Sequence, residues 1–275
     1  MDRQLLARFL REYPFQPATA VWRAVEIDEI SRVSFPEGRG LDLGCGDGRL
    51  TRLLFERVGH RSLVGLDIDP LETAMAKQEG LYTCIHTASA EAIPEADASF
   101  DFVVSVSVME HVQPIENMLR EVARVLKPGG ILVTTIPAVG FHHVLRGPLF
   151  RTSRRTYLER IDRRLAHLRY WSVAEWVSAC RSAGLTMTIA QPFLAASAVR
   201  RWETLSRMTA GVLHLISGGR PPIAIQRSLG LRRVAQRMPR PLASLMSHIL
   251  ALGVSADDAL SEHESGCLLV VAQRT

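Results

Sequence analysis

Lysine is almost missing from this chain: 33 of its 275 residues are basic, yet the only lysines are Lys77 and Lys127. Arginine carries the rest, and the formal net charge is +5 with a pI near 9.4. An excess this mild says little by itself about an anionic partner. Cysteine is also scarce. Cys45, Cys84, Cys180 and Cys267 lie far apart and form no CxxC pair. That excludes a sequence-legible zinc site or disulfide framework and fits a reducing cytosol. No run approaches the ~20 apolar residues of a membrane-spanning helix. The opening MDRQLLARFLREYP carries charges throughout, which predicts no signal peptide. Internal repeats and low-complexity tracts are missing too.

What is present is ordinary globular composition, 47% hydrophobic and 22% charged. The length allows one large α/β domain with an insertion, or two small domains. Residues 2–35 read as helical with a break at YPFQP; then strands and helices alternate. GLDL, SLVGLDI, LYTCIHT, FDFVVSV and ILVTTIP read as five strands. In DPLETAMAKQEG, Asp69 caps a helix, Pro70 takes its first position and Gly80 follows its end. Pro114 opens another, with Ile115, Met118, Leu119, Val122 and Leu126 on one stripe and KPGG as its stop. WSVAEWVSACRSAG carries a capping box, Ser172 with Glu175, and a hydrophobic staple, Trp171 with Trp176. LTMTIA and GCLLVVAQR supply the remaining strands. The alternation predicts a doubly wound α/β fold, a mainly parallel sheet with helices on both faces and ligands at the strands' carboxyl ends. The expected division is 1–36 as a helical cap, 37–191 with 263–275 as the core, and 192–262 as a mainly helical insertion.

The stretch LDLGCGDGRL, residues 41–50, places Gly44, Gly46 and Gly48 between a strand and a helix N-terminus. Such a turn suits a ligand lying against backbone amides. It is not a P-loop, which needs GxxxxGK[ST]; nor is it GxGxxG, because Arg49 takes the third glycine's place. What remains is Asp42-x-Gly44-x-Gly46-x-Gly48, with Asp67 at the end of the next strand, where an acidic residue would take a ribose diol.

These residues resemble the class I S-adenosylmethionine-dependent methyltransferases. LDLGCGDGRL, VGLDIDP, AEAIPEADASFDFVVSVSVMEHV, LREVARVLKPGGILVTTIP and LRYWSVAEWVSACRSAGL follow one another in that family's order and spacing. The likeness covers about 37–191 and the last strand, and is nearest the ubiquinone and menaquinone methyltransferase group. It implies a Rossmann-like seven-stranded sheet with the last strand antiparallel. It implies S-adenosyl-L-methionine as cofactor and S-adenosyl-L-homocysteine as product. Gly44, Gly46 and Gly48 would admit the methionine part, Asp42 would help hold its ammonium group, and Asp67 would bind the ribose. Ile68 would pack on the adenine, Ser89 and Ala90 would meet its edge, and Ser105 would lie beside the transferred methyl. Relatives often carry Asp where Ser89 stands.

A sulfonium brings its own leaving group, so the protein's task is alignment and exclusion of water. An oxygen nucleophile also needs a base, and Glu110, His111, His142 and His143 are the candidates. No metal constellation is visible, since two adjacent histidines alone make a poor ligand set. The NPP[YF] tetrad of amide and base-ring amine methyltransferases is replaced by SVSVMEHV, which argues against nucleic-acid adenine.

Two regions stand apart. Residues 146–169 carry Arg146, Arg151, Arg154, Arg155, Arg160, Arg163, Arg164 and Arg169 against Glu159 and Asp162. They read either as a solvated face or as a binder of phosphate or carboxylate. In 192–262, Trp202, Leu205, Thr209, Val212, Leu213 and Ile216 share a helical stripe, and LASLMSHILALGV is markedly apolar. These suit core packing, a dimer contact, or an interfacial cap. The expected acceptor is a small hydrophobic or amphiphilic molecule, prenyl- or glycolipid-like, methylated on oxygen or carbon by a cytoplasmic enzyme that touches the inner membrane surface. The alternatives are a soluble natural-product or nucleotide-sugar O-methyltransferase and, more remotely, a noncatalytic scaffold. Nucleic acid is not expected: Tyr157 is nearly the only aromatic among the arginines.

Overall fold

The computed structural model describes residues 1–14, 16–148, 151–211, 225, 227–228, 230, 237–254 and 260–275. The chain divides into two units, and each is described by itself. The sheet unit takes residues 29–139, 167–193 and 267–275, and the helical unit takes 1–28, 140–166 and 194–266.

In the sheet unit the strands are β1 (Arg39–Leu43), β2 (Ser62–Asp67), β3 (Cys84–Thr87), β4 (Phe100–Val106), β5 (Leu126–Pro137), β6 (Leu185–Ala195) and β7 (Ser265–Arg274). They form one seven-stranded sheet in the order β3-β2-β1-β4-β5-β7-β6. Pairs from β3 to β5 are parallel, while β7 runs antiparallel to β5, with Ile131 opposite Gln273 and Pro137 opposite Cys267. The reversal at β1, where the chain turns from one half of the sheet to the other, opens the crevice in which ligands of such sheets bind.

The sheet is flanked by α3 (Arg49–Val58), by α4 (Pro70–Glu79), with the caps read in the sequence, and by α5 (Ile115–Val125), with the stripe its periodicity predicts. Ile115, Met118, Leu119 and Val122 of α5 are buried in the core with Leu41, Leu43 and Val103 of the sheet. On α4, Asp69 accepts from the Leu71 N–H at 2.9 Å and Gly80 closes the helix in the left-handed region. The two faces meet different needs. Phe35, Phe55 and Phe102 pack with centroids 5.3–5.9 Å apart, Phe35 edge-on to the other two, and Gly40 is bare because a Cβ there would stand 2.1 Å from the Phe102 ring.

The boundary after α5 differs from the sequence expectation. Leu126 and KPGG do not end the helix with a turn; they are already β5, and β4 meets them through a register shift between Phe100 and Phe102. β3 begins at Cys84 rather than Leu81, because Tyr82 and Thr83 are drawn to other partners: Asp42 and the Leu63 carbonyl. The remaining helix of this unit, following a short turn, spans Val173–Ser182. It carries the predicted capping box, and the Trp171 and Trp176 rings pack 4.9 Å apart.

The helical unit contains α1 (Arg3–Glu12), α2 (Pro17–Ile30, through Asp28), α6 (Phe141–Val144) and α7 (Arg154–Leu165). With the Val173–Ser182 helix as α8, it continues through α9 (Ala196–Ser206) and α10 (Arg240–Ala251). Residues 140–166, placed with the core in the sequence division, belong to this unit. The reason is Glu203 of α9. Its buried carboxylate accepts from the Arg146 N–H at 2.7 Å, the Gly147 N–H at 3.3 Å, the Arg207 guanidinium at 2.6 Å and the Tyr157 hydroxyl. Trp22, Phe141 and Trp202 pack against one another, with ring centroids 5.3–6.0 Å apart. Of the predicted stripe, Trp202 is buried, Leu205 and Thr209 are half-buried, and Val212, Leu213 and Ile216 lie outside the described residues.

Candidate functional site

The three glycines of the turn after β1 are bare for two different reasons. Each has a positive φ: +84° at Gly44, +52° at Gly46 and +79° at Gly48. A Cβ on Gly44 would strike Val108 at 2.3 Å, and one on Gly48 would crowd Tyr82 at 3.1 Å. A Cβ on Gly46 would meet nothing nearer than Glu72 Oε2 at 3.9 Å. Gly44 and Gly48 are therefore demanded by the protein's own packing. Gly46 fronts open space, so a ligand can lie there against backbone.

Asp67 closes one side of that space. Its Oδ2 accepts from the Gly46 N–H at 2.8 Å and its Oδ1 from the Asp69 N–H at 2.9 Å. Two backbone donors aim the carboxylate without using all its lone pairs, and a carboxylate has about four acceptor sites. Beside it Ile68 is 73% exposed and Leu71 is 56% exposed, an apolar ledge at the edge of the open space. The turn is held to β2 by the Gly44 and Cys45 N–H groups, which donate to the Leu66 carbonyl at 2.7 and 2.9 Å.

Asp42 sits beneath the turn, buried. Its Oδ2 accepts from Thr51 Oγ1 at 2.6 Å and from Tyr82 Oη at 2.5 Å. Burial pushes its carboxyl up to about 6 and the nearby Asp67 adds to this, although both hydroxyls oppose it. The same burial, with Asp42 close by, raises the Tyr82 hydroxyl well above its ordinary range. Thr51 and Tyr82 were not singled out by the sequence. Tyr82 stands in a run that reads as strand, and only the fold brings it to Asp42, 40 positions earlier.

The other predicted residues fall as follows. The Ser89 hydroxyl accepts from the Glu91 N–H at 3.2 Å, and Ser89 and Ala90 are half-buried in the turn after β3. Ser105 is fully buried and donates to the Leu43 carbonyl at 3.0 Å, so its hydroxyl ties β4 to β1. Glu110 and His111 lie in a 3-10 turn, Met109–His111, just past β4. Glu110 is buried, and its Oε1 stands 3.9 Å from His111 Nε2 and 4.0 Å from His167 Nε2. His167 is a third residue that sequence reasoning missed, because nothing in its local spacing ties it to Glu110. His142 and His143 lie in the helical unit. His142 Nε2 meets Asp162 Oδ1 at 2.8 Å, and His143 is exposed. Of the eight arginines, Arg164 lies over the Trp202 ring within the helical unit. Arg169 belongs to the sheet unit, where its guanidinium donates to the Met109 and Val112 carbonyls.

Comparison with known proteins agrees with this geometry. Residues 41–134, from β1 into β5, match the family model described as a methyltransferase domain. The sheet unit carries a methyltransferase domain. The ubiquinone biosynthesis O-methyltransferase of Hahella chejuensis is 35% identical over 111 residues, covering 38% of this chain and 45% of that protein. The 2-phytyl-1,4-naphtoquinone methyltransferase of Thermosynechococcus vestitus is 37% identical over 115 residues, covering 40% of this chain and 50% of its own. The chain thus spans half or less of the length of these curated relatives. A solved SAM-dependent methyltransferase of Thermotoga maritima superposes with a TM-score of 0.57 at 18% identity, covering 99% of both chains. That likeness is one of fold.

Proposed function

We propose that this chain transfers a methyl group from S-adenosylmethionine to a small hydrophobic or amphiphilic molecule, on oxygen or carbon. The observation that carries the reading is the open space over Gly46, with the aimed Asp67 carboxylate beside it. These residues fit the cofactor: bare backbone for the methionine part, a carboxylate for the ribose diol, and the exposed Ile68 for the adenine face. The bound cofactor supplies an electrophilic methyl on a sulfonium. The chain's residues hold it in place, and the buried Asp42 sets a negative charge beneath the turn, suited to a cationic ligand.

An oxygen acceptor also requires a proton acceptor. The Glu110–His111 turn in the sheet unit and the Asp162-oriented His142 in the helical unit are the two groups suited to it. Turnover of H111N and H142N under saturating cofactor assigns the role to whichever variant loses methyl transfer while keeping cofactor affinity.

The amphiphilic acceptor is supported by α10. Leu242, Leu245, Ile249 and Leu252 at its end are 47–61% exposed, on a helix that opens with Arg240 and carries no acidic residue. An apolar stripe beside arginine suits the surface of an anionic membrane. A second reading, a water-soluble acceptor with a diphosphate or carboxylate, is favoured by the exposed Arg151, Arg154, Arg155, Arg160 and Arg163.

The test is incubation of the purified protein with methyl-labelled S-adenosylmethionine and a lysate of source cells lacking it, followed by solvent partition. Label in the organic phase is expected. Label confined to aqueous small molecules overturns the amphiphilic acceptor, and no labelled small molecule at all overturns the methyl-transfer reading.

A further inference from the structure

We propose that Glu110, His111 and His167 bind one divalent transition-metal cation at the carboxyl end of β4. One donor atom from each residue lies within 4.8 Å of the other two. The Glu110 carboxylate is buried, His167 is largely buried, and His111 is the outermost of the three. Metal bonds of about 2.0–2.2 Å would draw the donors together by small side-chain rotations. Two imidazoles and one carboxylate suit borderline cations such as manganese, iron, cobalt or zinc better than magnesium or calcium.

The cluster is braced as a ligand set needs to be. His167 Nδ1 is 3.0 Å from the Tyr170 hydroxyl. With Nδ1–H donating there, Nε2 keeps its lone pair for the face that meets Glu110. The two contributing segments are stitched together by backbone. Leu168 N–H donates to the Glu110 carbonyl at 2.9 Å, and the Arg169 guanidinium donates to the Met109 and Val112 carbonyls. Arginine is thus engaged with the turn's carbonyls.

Three protein ligands leave coordination positions open, so the site would take an acceptor bearing two neighbouring oxygens, such as a catechol or a hydroxy-carbonyl compound. A cation there would lower the pKa of a bound hydroxyl. The O–H proton passes to water, the oxygen pair forms the bond to the methyl carbon, and the carbon–sulfur pair stays on sulfur as the thioether. His111, once it is a ligand, takes no proton. This role rests on the methyl-transfer reading; binding of the cation does not.

The experiment is titration of the untagged full chain with Co2+ alone, followed by its visible absorption and by calorimetry. One cobalt per chain is expected, with ligand-field bands of inner-sphere coordination. E110Q and H167N should each lose the bands and weaken binding at least 10-fold, while H60N, at an exposed histidine, should keep both. Far-UV circular dichroism shows that the variants are folded, and H111N gives a third ligand change at the most exposed position. Absence of the bands in the wild-type chain, or cobalt binding unchanged in E110Q and H167N, overturns the proposal. Titration with S-adenosylmethionine in the absence of metal separates the two claims: binding there with no cobalt site sinks the cation and leaves the methyl-transfer reading standing.

Discussion

The two units of this chain carry opposite charge. The helical unit holds 20 arginines against 11 acidic residues, a net +9, and the sheet unit 13 basic against 17 acidic, a net −4. The whole-chain figure of +5 hides this. The sheet unit gathers Asp42, Asp67 and Glu72 around a bare backbone turn, which is the electrostatics of a cation site. The helical unit gathers exposed arginines and exposed leucines, which suits an anionic or amphiphilic molecule. Their interiors differ as well. Both units bury apolar side chains, and the helical unit also closes around a buried, fully engaged carboxylate.

The largest effect should come from breaking that last contrast. Glu203→Ala strips the charge that Arg207 and two backbone amides face, and it should cost about 3–5 kcal/mol in chemical denaturation. In the sheet unit, Leu119→Ala removes buried methyl groups from α5 and should cost about 2–5 kcal/mol. If Glu203→Ala cost under 1 kcal/mol, the polar hub would not be what holds 140–166 to α9.

Next comes cofactor affinity. Asp67→Ala removes an acceptor from a ribose diol, and hydrogen bonds to charged groups are worth about 1.5–3 kcal/mol each. Affinity for S-adenosylmethionine should fall about 100-fold in a calorimetric titration with the far-UV spectrum unchanged.

How much of this was legible in advance divides along the same line. The capping of α4 was readable because it acts within a few residues of its own turn, and the glycine turn with Asp67 stood out only as a spaced motif, since the bond that joins Gly46 to Asp67 spans 21 positions. The α5 stripe was readable because helical periodicity is local. KPGG was read as a turn after the helix; the helix does end at Val125, but β5 begins directly at Leu126, which is paired with Phe100 across the sheet. Tyr82 and His167 were invisible for the same reason: their partners, Asp42 and Glu110, are distant in the chain. Residues 140–166 were grouped with the core because what ties them to the helical unit, Glu203 of α9 and the packing of Phe141 on Trp22 and Trp202, joins residues far apart in the chain.

A smaller effect is expected with pH. Asp42 is raised to about 6 by burial, so the folded chain holds its proton more tightly than the unfolded chain does. The stability this proton confers is present at low pH and is lost as pH rises from the ordinary carboxyl value through about 6. Binding of a cationic cofactor moves the other way, strengthening as pH rises through about 6. Asp42→Asn should flatten that profile; an unchanged pH dependence in the variant would remove Asp42 from the cofactor's field.

The smallest effect on stability should come from α10. Leu245→Ser, at an exposed position, should change unfolding by no more than about 0.5 kcal/mol. It should nonetheless weaken co-sedimentation with anionic vesicles several-fold. Equal sedimentation of the variant and wild type would make the stripe's contact something other than lipid.

The central claim is that the sheet unit holds S-adenosylmethionine over Gly46, against Asp67. Calorimetric titration of the wild-type chain, Gly46→Ala and Asp67→Ala with S-adenosylmethionine tests it directly. One cofactor per wild-type chain, with at least 10-fold weaker binding in both variants, is the result predicted. Binding that is equally tight in all three would contradict it.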